Sequence, residues 1–249
     1  MKTTRKRRHV LCSSPEIGQG DDDGFRAVNE AGENRRPLRS RDTGWARAAA
    51  AALARRRVSP DAVSAGSVVF AVLGCGAFLA TGRLSGVERI VALLLAAVAI
   101  QLRLMCNLLD GMVALEHGRG SPSGPIWNEL PDRLADVLLL IGAGYGAALA
   151  GIGWAAAAGW LAAVLAVLAA YVRELGRGLG QPADFSGPGA KPQRMAALTA
   201  AAAVSCLVEP RWLRPGEAMA LALVLISTLT LITVVRRTRH LARRLAARP

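Results

Sequence analysis

What most limits how this chain can fold is a succession of long, nearly uncharged runs of Ala, Leu, Val and Gly. They read approximately as Ala62–Ala80, Ile90–Leu115, Trp127–Ala150, Trp154–Val172, Arg194–Val208 and Ala218–Val235, joined by short polar connectors. That is the pattern of membrane spans, because a helix satisfies its own backbone in a bilayer and needs an apolar surface all round. The expectation is an all-α integral membrane protein with six transmembrane helices. Ser59-Pro60-Asp61 reads as a helix start. Pro131 is expected in the opening turns of the third span, where a missing amide costs least. The fifth span is short unless the helix already begins at Lys191.

Charge then orients the chain. Its 249 residues carry a formal net charge of +13, contributed mainly by Arg clustered at the two ends. A soluble nucleic-acid binder can show such a balance, but not with these spans, so no nucleic-acid partner is expected. Arg beside spans sets orientation and meets anionic lipid headgroups. Six spans put both termini on one side, and Arg173, Arg177, Lys191 and Arg194 lie on that side too. The opposite connectors hold only Arg83, Arg89, Arg211 and Arg214. The expectation is a multi-pass protein of the cell (plasma or inner) membrane, with both termini and the loop between spans two and three cytoplasmic. Residues 1–43 read as a disordered polar tail without the apolar core of a signal peptide. Residues 44–57 read as a juxtamembrane amphipathic helix, and residues 58–249 as the membrane domain. Cys12, Cys75, Cys106 and Cys206 show neither paired nor metal-ligand spacing.

Acidic residues are costly at membrane depth and usually face a polar cavity with a function. Here they concentrate in Asn107–Asp136, NLLDGMVALEHGRGSPSGPIWNELPDRLAD. Asn107, Asp110 and Ala114 stand at i, i+3 and i+7, hence on one helix face; so do Glu129, Asp132 and Asp136. Two such helices side by side would point several oxygen donors into one volume, which suits a hard divalent cation, Mg2+ or Mn2+. The alternative is two helix ends whose acids are only solvated.

The stretch resembles the signature of the CDP-alcohol phosphatidyltransferases, integral-membrane enzymes of phospholipid synthesis. Their pattern runs Asp, two residues, Asp-Gly, two residues, Ala-Arg, a gap, Gly, three residues, Asp, three residues, Asp. Asp110-Gly111 and Ala114 match the first half, and Asp132 and Asp136 the closing pair. Asn107 stands in place of the first Asp, Leu115 in place of the Arg, and Asn128 in place of the second Gly, across a longer gap.

The resemblance implies transfer of a substituted phosphate from a CDP-linked lipid donor to an alcohol acceptor, with release of CMP. It implies a site of two divalent ions, Mg2+ or Mn2+, with Asp110, Asp132 and Asp136 as ligands and Asp136 as the general base. Asp110, Gly111 and Ala114 correspond to nucleotide-binding positions; for Gly111 and Ala114 the alternative is plain tight helix packing. Asn107 brings an oxygen but no charge. Glu129 shares the face of Asp132 and Asp136 and either restores the missing carboxylate or is a solvated helix-start acid. Arg119 or Arg133 could take over from the Arg absent at Leu115. Arg173, Arg177, Lys191 and Arg194 correspond to acceptor-phosphate residues or serve only as membrane anchors; Asp184 and Glu174 offset some of this charge, though neither shares the i, i+4 face of Arg173 and Arg177. Family members are usually homodimers, and the Gly/Ala-rich spans permit close helix contacts. Because of the departures, a second expectation stands beside the enzyme: a catalytically impaired relative that binds a cation or a partner protein. His9, His117 and His240 have no catalytic spacing.

Overall fold

The computed structural model describes residues 43–116, 123–209 and 212–247, the side chains of Leu115 and Glu116 excepted. The expected tail up to residue 43, His117, Arg119 and the side chain of Leu115 fall almost wholly outside them. The described residues are all-α: α1 (Gly44–Arg55), α2 (Pro60–Thr81), α3 (Gly86–Glu116), α4 (Gly124–Leu149), α5 (Ala155–Gly178), α6 (Lys191–Leu207) and α7 (Glu217–Ala246). Four of them, α2, α3, α5 and α7, are long and apolar enough to cross a membrane.

The start of α2 follows from its sequence. Ser59 caps it by accepting the Ala62 amide at 3.2 Å, Pro60 stands where an amide would be idle, and Asp61 faces the positive helix end. Elsewhere the boundaries move. Helix α4 begins at Gly124 rather than near Trp127, with a proline in its first two positions. Pro131 is therefore inside the helix, beyond its opening turns, and interrupts one backbone hydrogen bond near the charged side chains described below. Helix α6 does begin at Lys191. Its 17 residues span about 25 Å at about 1.5 Å per residue, less than a bilayer core of about 30 Å. Helix α7 runs on through the basic tail to Ala246, where the sequence suggests an end at Val235.

Side-chain size is distributed as in a membrane bundle. The interior is mostly small: Ala71, Ala96, Ala143, Ala162, Ala166, Ala202 and Ala220 are buried, with Phe78, Ile100, Leu139 and Leu223 among them. The outside is large and apolar, with Val72, Leu73, Leu94, Leu95, Leu161 and Leu225 all more than half exposed. Lipid gives no hydrophobic gain for burying Leu, so small residues that let backbones approach decide the packing. Gly146 shows the closeness: a Cβ there would come within 2.1 Å of the Phe78 carbonyl oxygen on α2. Against the C-terminal half of α3 lies α1, its Ala46 and Ala50 buried beside Leu108, Leu109, Met112 and Val113. Thus α1 sits near the acidic end of α3.

Candidate active site

The predicted faces of α3 and α4 do meet. Asp110 and Asp136 are buried, at 4% and 1% exposure, while Asn107 and Asp132 are half-buried. Asp110 accepts a hydrogen bond from the Ser64 hydroxyl of α2 at 2.5 Å and from the Gly111 amide. The Asn107 amide nitrogen donates to Asp132 Oδ1. Since Asn107 is one turn from Asp110, it ties the acidic residue of α3 to that of α4.

Cations complete the cluster. The Arg103 guanidinium on α3, wholly buried, donates through Nη2 to Asp136 Oδ1 at 2.6 Å, to the Asp132 carbonyl at 3.1 Å and to Asp132 Oδ1 at 3.4 Å. Arg194 on α6 takes the other oxygen of Asp136 at 2.5 Å and donates to the Gly189 carbonyl at 2.6 Å. Lys191, at the head of α6, holds Asp132 Oδ2 at 2.5 Å. Asp132 and Asp136 thus face Arg103, Lys191 and Arg194, with Arg133 3.7 Å from Asp132, an arrangement that lets charge persist in a low-dielectric bundle.

The loop between α5 and α6 sets these cations in place. The Gly189 amide donates to the Thr233 hydroxyl of α7 at 2.8 Å, and a Cβ on Gly189 would lie 2.4 Å from the Thr230 backbone, so only glycine fits. Arg237 on α7 donates to the Ser186 carbonyl at 2.9 Å and to the Ala169 carbonyl at 2.7 Å. Asp184 accepts the Ser186 amide at 2.8 Å and lies 3.5 Å from His240. Burial opposes the charge of Asp184, but the Ser186 hydrogen bonds and the nearby Arg237 and His240 outweigh it. Its carboxyl stays below the ordinary range.

Several expectations change here. Glu129 is not the missing carboxylate of the cluster: it is held by Arg133 at 2.8 Å and by Arg173 of α5 at 2.5 Å. Glu174, which the sequence has offsetting part of this charge, pairs directly with Arg173 at 2.8 Å and with Arg177 at 2.8 Å. Arg173 also lies over the Phe185 ring at 5.3 Å. The four basic residues therefore form no open cationic pocket. Arg173, Lys191 and Arg194 reach the carboxylates of α4, while Arg177 stays at the exposed end of α5. Gly111 and Ala114 are half-buried on α3.

The donor set tests the expected pair of metal ions. Among the described residues, no three Asp, Glu, His or Cys side chains form a group that could hold a metal. Asp110, with only uncharged donors, suits one divalent ion that otherwise meets substrate phosphates, but both oxygens of Asp132 are held by Asn107, Arg103 and Lys191, so Asp132 joins such an ion only by releasing Lys191. A second ion at Asp136 does not fit, since guanidinium groups hold both of its oxygens.

No family model matches the sequence. A curated relative does: the bifunctional IPC transferase and DIPP synthase of Rubrobacter xylanophilus is 37% identical over 138 residues, 53% of this chain. This likeness agrees with the resemblance of Asn107–Asp136 to the signature of the CDP-alcohol phosphatidyltransferases. The match covers 28% of that relative's length. The fold is similar to that of Mycobacterium tuberculosis phosphatidylinositol phosphate synthase. With CDP-DAG bound, that protein aligns with a TM-score of 0.65 at 21% identity, over 79% of this chain and 92% of that one. In complex with manganese and citrate it aligns at 0.63 and 21% identity, over 77% and 86%.

Two residues of the cluster escape the motif. Ser64 lies in the first apolar run, far from the acids in sequence. Arg103 had a signal: it is a lone charge inside the second run, four residues before Asn107 and so on the same helix face.

Proposed function

We propose that this chain transfers a substituted phosphate group from a CDP-linked alcohol, such as CDP-diacylglycerol, to an alcohol acceptor in phospholipid synthesis. What supports the reading most is the juncture of α3 and α4, where Asn107, Asp110, Asp132 and Asp136 meet Lys191 and Arg194 in one polar cluster inside an apolar bundle. The acceptor oxygen forms a bond to the phosphorus that bears the lipid, the bond from that phosphorus to CMP breaks, and CMP leaves. In-line placement and charge neutralisation carry such a step. A divalent ion held by Asp110 and Asp132 would supply part of that neutralisation. Gly111 and Ala114 are the positions proposed to let the nucleotide approach α3. Asp136 is the proposed base. Both of its oxygens are occupied, so it must release Arg194 before taking the acceptor proton, and a substrate phosphate drawing Arg194 away does this. The acceptor is proposed to be a phosphorylated alcohol whose phosphate competes with Glu129, Asp132 and Asp136 for Arg173, Lys191 and Arg194, with Arg177 at the entrance. We place the site at the cytoplasmic face of a six-span protein with both termini cytoplasmic, in the plasma or inner membrane, and expect a homodimer.

The test is CMP release from CDP-diacylglycerol by the purified protein in lipid nanodiscs, with Mg2+ or Mn2+ and a panel of phosphorylated and free alcohols. Asp132→Asn is expected to lower the rate at least roughly a hundredfold, as loss of a main charge-stabilising group does. Wild-type release no faster than that of Asp132→Asn would sink the enzyme reading. It would favour instead a non-catalytic relative, for which the full pairing of Asp132 and Asp136 with the chain's own cations speaks.

A further inference from the structure

Helix α7 continues past its apolar part, through Arg236 to Ala246, and this basic extension has two faces. One face is held by the protein. Arg237 donates to the Ser186 and Ala169 carbonyls, and His240 Nδ1 lies 3.5 Å from Asp184. Leu241 packs on α5, where a Cβ on Gly176 would meet it at 3.5 Å. The other face holds Arg236, Arg239 and Arg243 at i, i+3 and i+7, all exposed. Among the described residues, none of these three meets a carboxylate. The inward-turned cations Arg103, Lys191 and Arg194 are each paired.

The register of the helix says what the outer face meets. Leu221, Leu225 and Ile232 are exposed and stand on that same face, joined to Arg236, Arg239 and Arg243 by steps of three, four or seven residues. They belong to a helix long and apolar enough to cross a membrane. The stripe that lies along acyl chains therefore runs straight on into the three arginines. Arg239 stands about 4.5 Å beyond Arg236 along the axis, within a headgroup layer of about 5–8 Å. Arg243 is about one turn further out, within a Debye length of about 8 Å. Orientation of the chain requires the charges but not this register, since Arg237 counts equally toward it and faces the protein. We propose that the Arg236, Arg239 and Arg243 face of α7 is a docking face for an anionic phospholipid. Its acyl chain lies along Leu225 and Ile232, and its phosphate meets Arg236 and Arg239, whose guanidinium forks match phosphate oxygens. The unbroken passage from apolar to cationic surface fits a lipid better than an acidic protein, which would need no apolar stripe. The proposal stands apart from the phosphotransferase reading.

The full-length protein in mild detergent is titrated with anionic phosphatidylglycerol or with zwitterionic phosphatidylethanolamine, and bound lipid is counted by native mass spectrometry. The wild type is expected to bind phosphatidylglycerol at least roughly fivefold more tightly, the ratio that one arginine beside an anionic headgroup supplies. That preference should fall as the ionic strength is raised. The variant Arg236→Gln/Arg239→Gln/Arg243→Gln is expected to bind the two lipids alike, and Arg236→Lys/Arg239→Lys/Arg243→Lys to keep the preference. Equal binding by the wild type, or a preference that survives in the Gln variant, overturns the proposal. So does a Lys variant that loses the preference, because its charge is unchanged. If the triple Gln variant does not fold, Arg236→Gln alone decides: a weakened preference supports the docking face, and an unaltered one overturns it. CMP release is measured on separate samples with a CDP-linked donor, so a failed lipid preference and a failed enzyme reading are told apart.

Discussion

Glu129 shows how much one turn of helix leaves open. Its spacing places it on the face of Asp132 and Asp136, yet its carboxylate is drawn to Arg133 and Arg173. Long side chains on neighbouring elements compete for an acid, and guanidinium forks win where they can bind it from two sides. Glu129→Gln should therefore leave Mn2+ affinity within roughly twofold of wild type, because it removes no ligand. Its loss should instead appear as about 1 kcal/mol of stability, as for a partly exposed ion pair. A tenfold loss of Mn2+ affinity in the same titration would return Glu129 to the metal set. Asn107 is the reverse case, since its amide already bonds Asp132 and its replacement alters the cluster itself.

Among the elements, the loop between α5 and α6 bears most on the site, since it carries Gly189 and leads directly into Lys191 and Arg194. It is held to α7 through Thr233, Arg237 and the Asp184–His240 contact. Asp184→Asn removes the charge that gathers Ser186 and His240. The loss of about 1 kcal/mol should speed amide hydrogen exchange at Ser186 to Gly189 by roughly fivefold at neutral pH. The pH dependence has a definite sign. The folded carboxyl is held below its ordinary value, so its stabilisation is present above the ordinary carboxylate range and fades as pH falls through the lowered one. The difference between variant and wild type should shrink on acidification. A difference that grows toward low pH would show that Asp184 acts by some other route.

At the scale of the whole bundle, a second buried ion pair lies away from the aspartate cluster. Arg89 at the start of α3 donates to Glu209 beyond α6 at 2.7 Å and to the Thr81 carbonyl at the end of α2. Glu209 also accepts from the Ser205 hydroxyl and the Gly216 amide, each at 3.0 Å. One pair thus joins the ends of α2, α3 and α6 to the start of α7. Arg89→Met would leave the Glu209 charge buried without its counter-ion, at a cost of about 3–5 kcal/mol. Thermal unfolding in mild detergent should show a large fall for Arg89→Met and a smaller one for Arg89→Met/Glu209→Gln. If the two single losses simply add in the double variant, the residues are not coupled.

The sequence by itself determined the helical membrane architecture and the two faces of the site. Both follow from local periodicity: apolar runs need a bilayer, and a period of 3.6 residues aligns Asn107 with Asp110 and Asp132 with Asp136. It also marked the helix start at Ser59 and the possible early start of α6 at Lys191. Only the tertiary structure decided which cation meets which acid. Asp136 finds Arg103 33 residues away and Arg194 58 residues away, and Asp132 finds Lys191 59 residues away. Such pairings depend on how three helices and a loop pack, and no local period encodes them. The same holds for the true start of α4, which left Pro131 inside the helix, and for the continuation of α7 past Val235, where packing stabilises turns that a basic sequence alone would leave undecided.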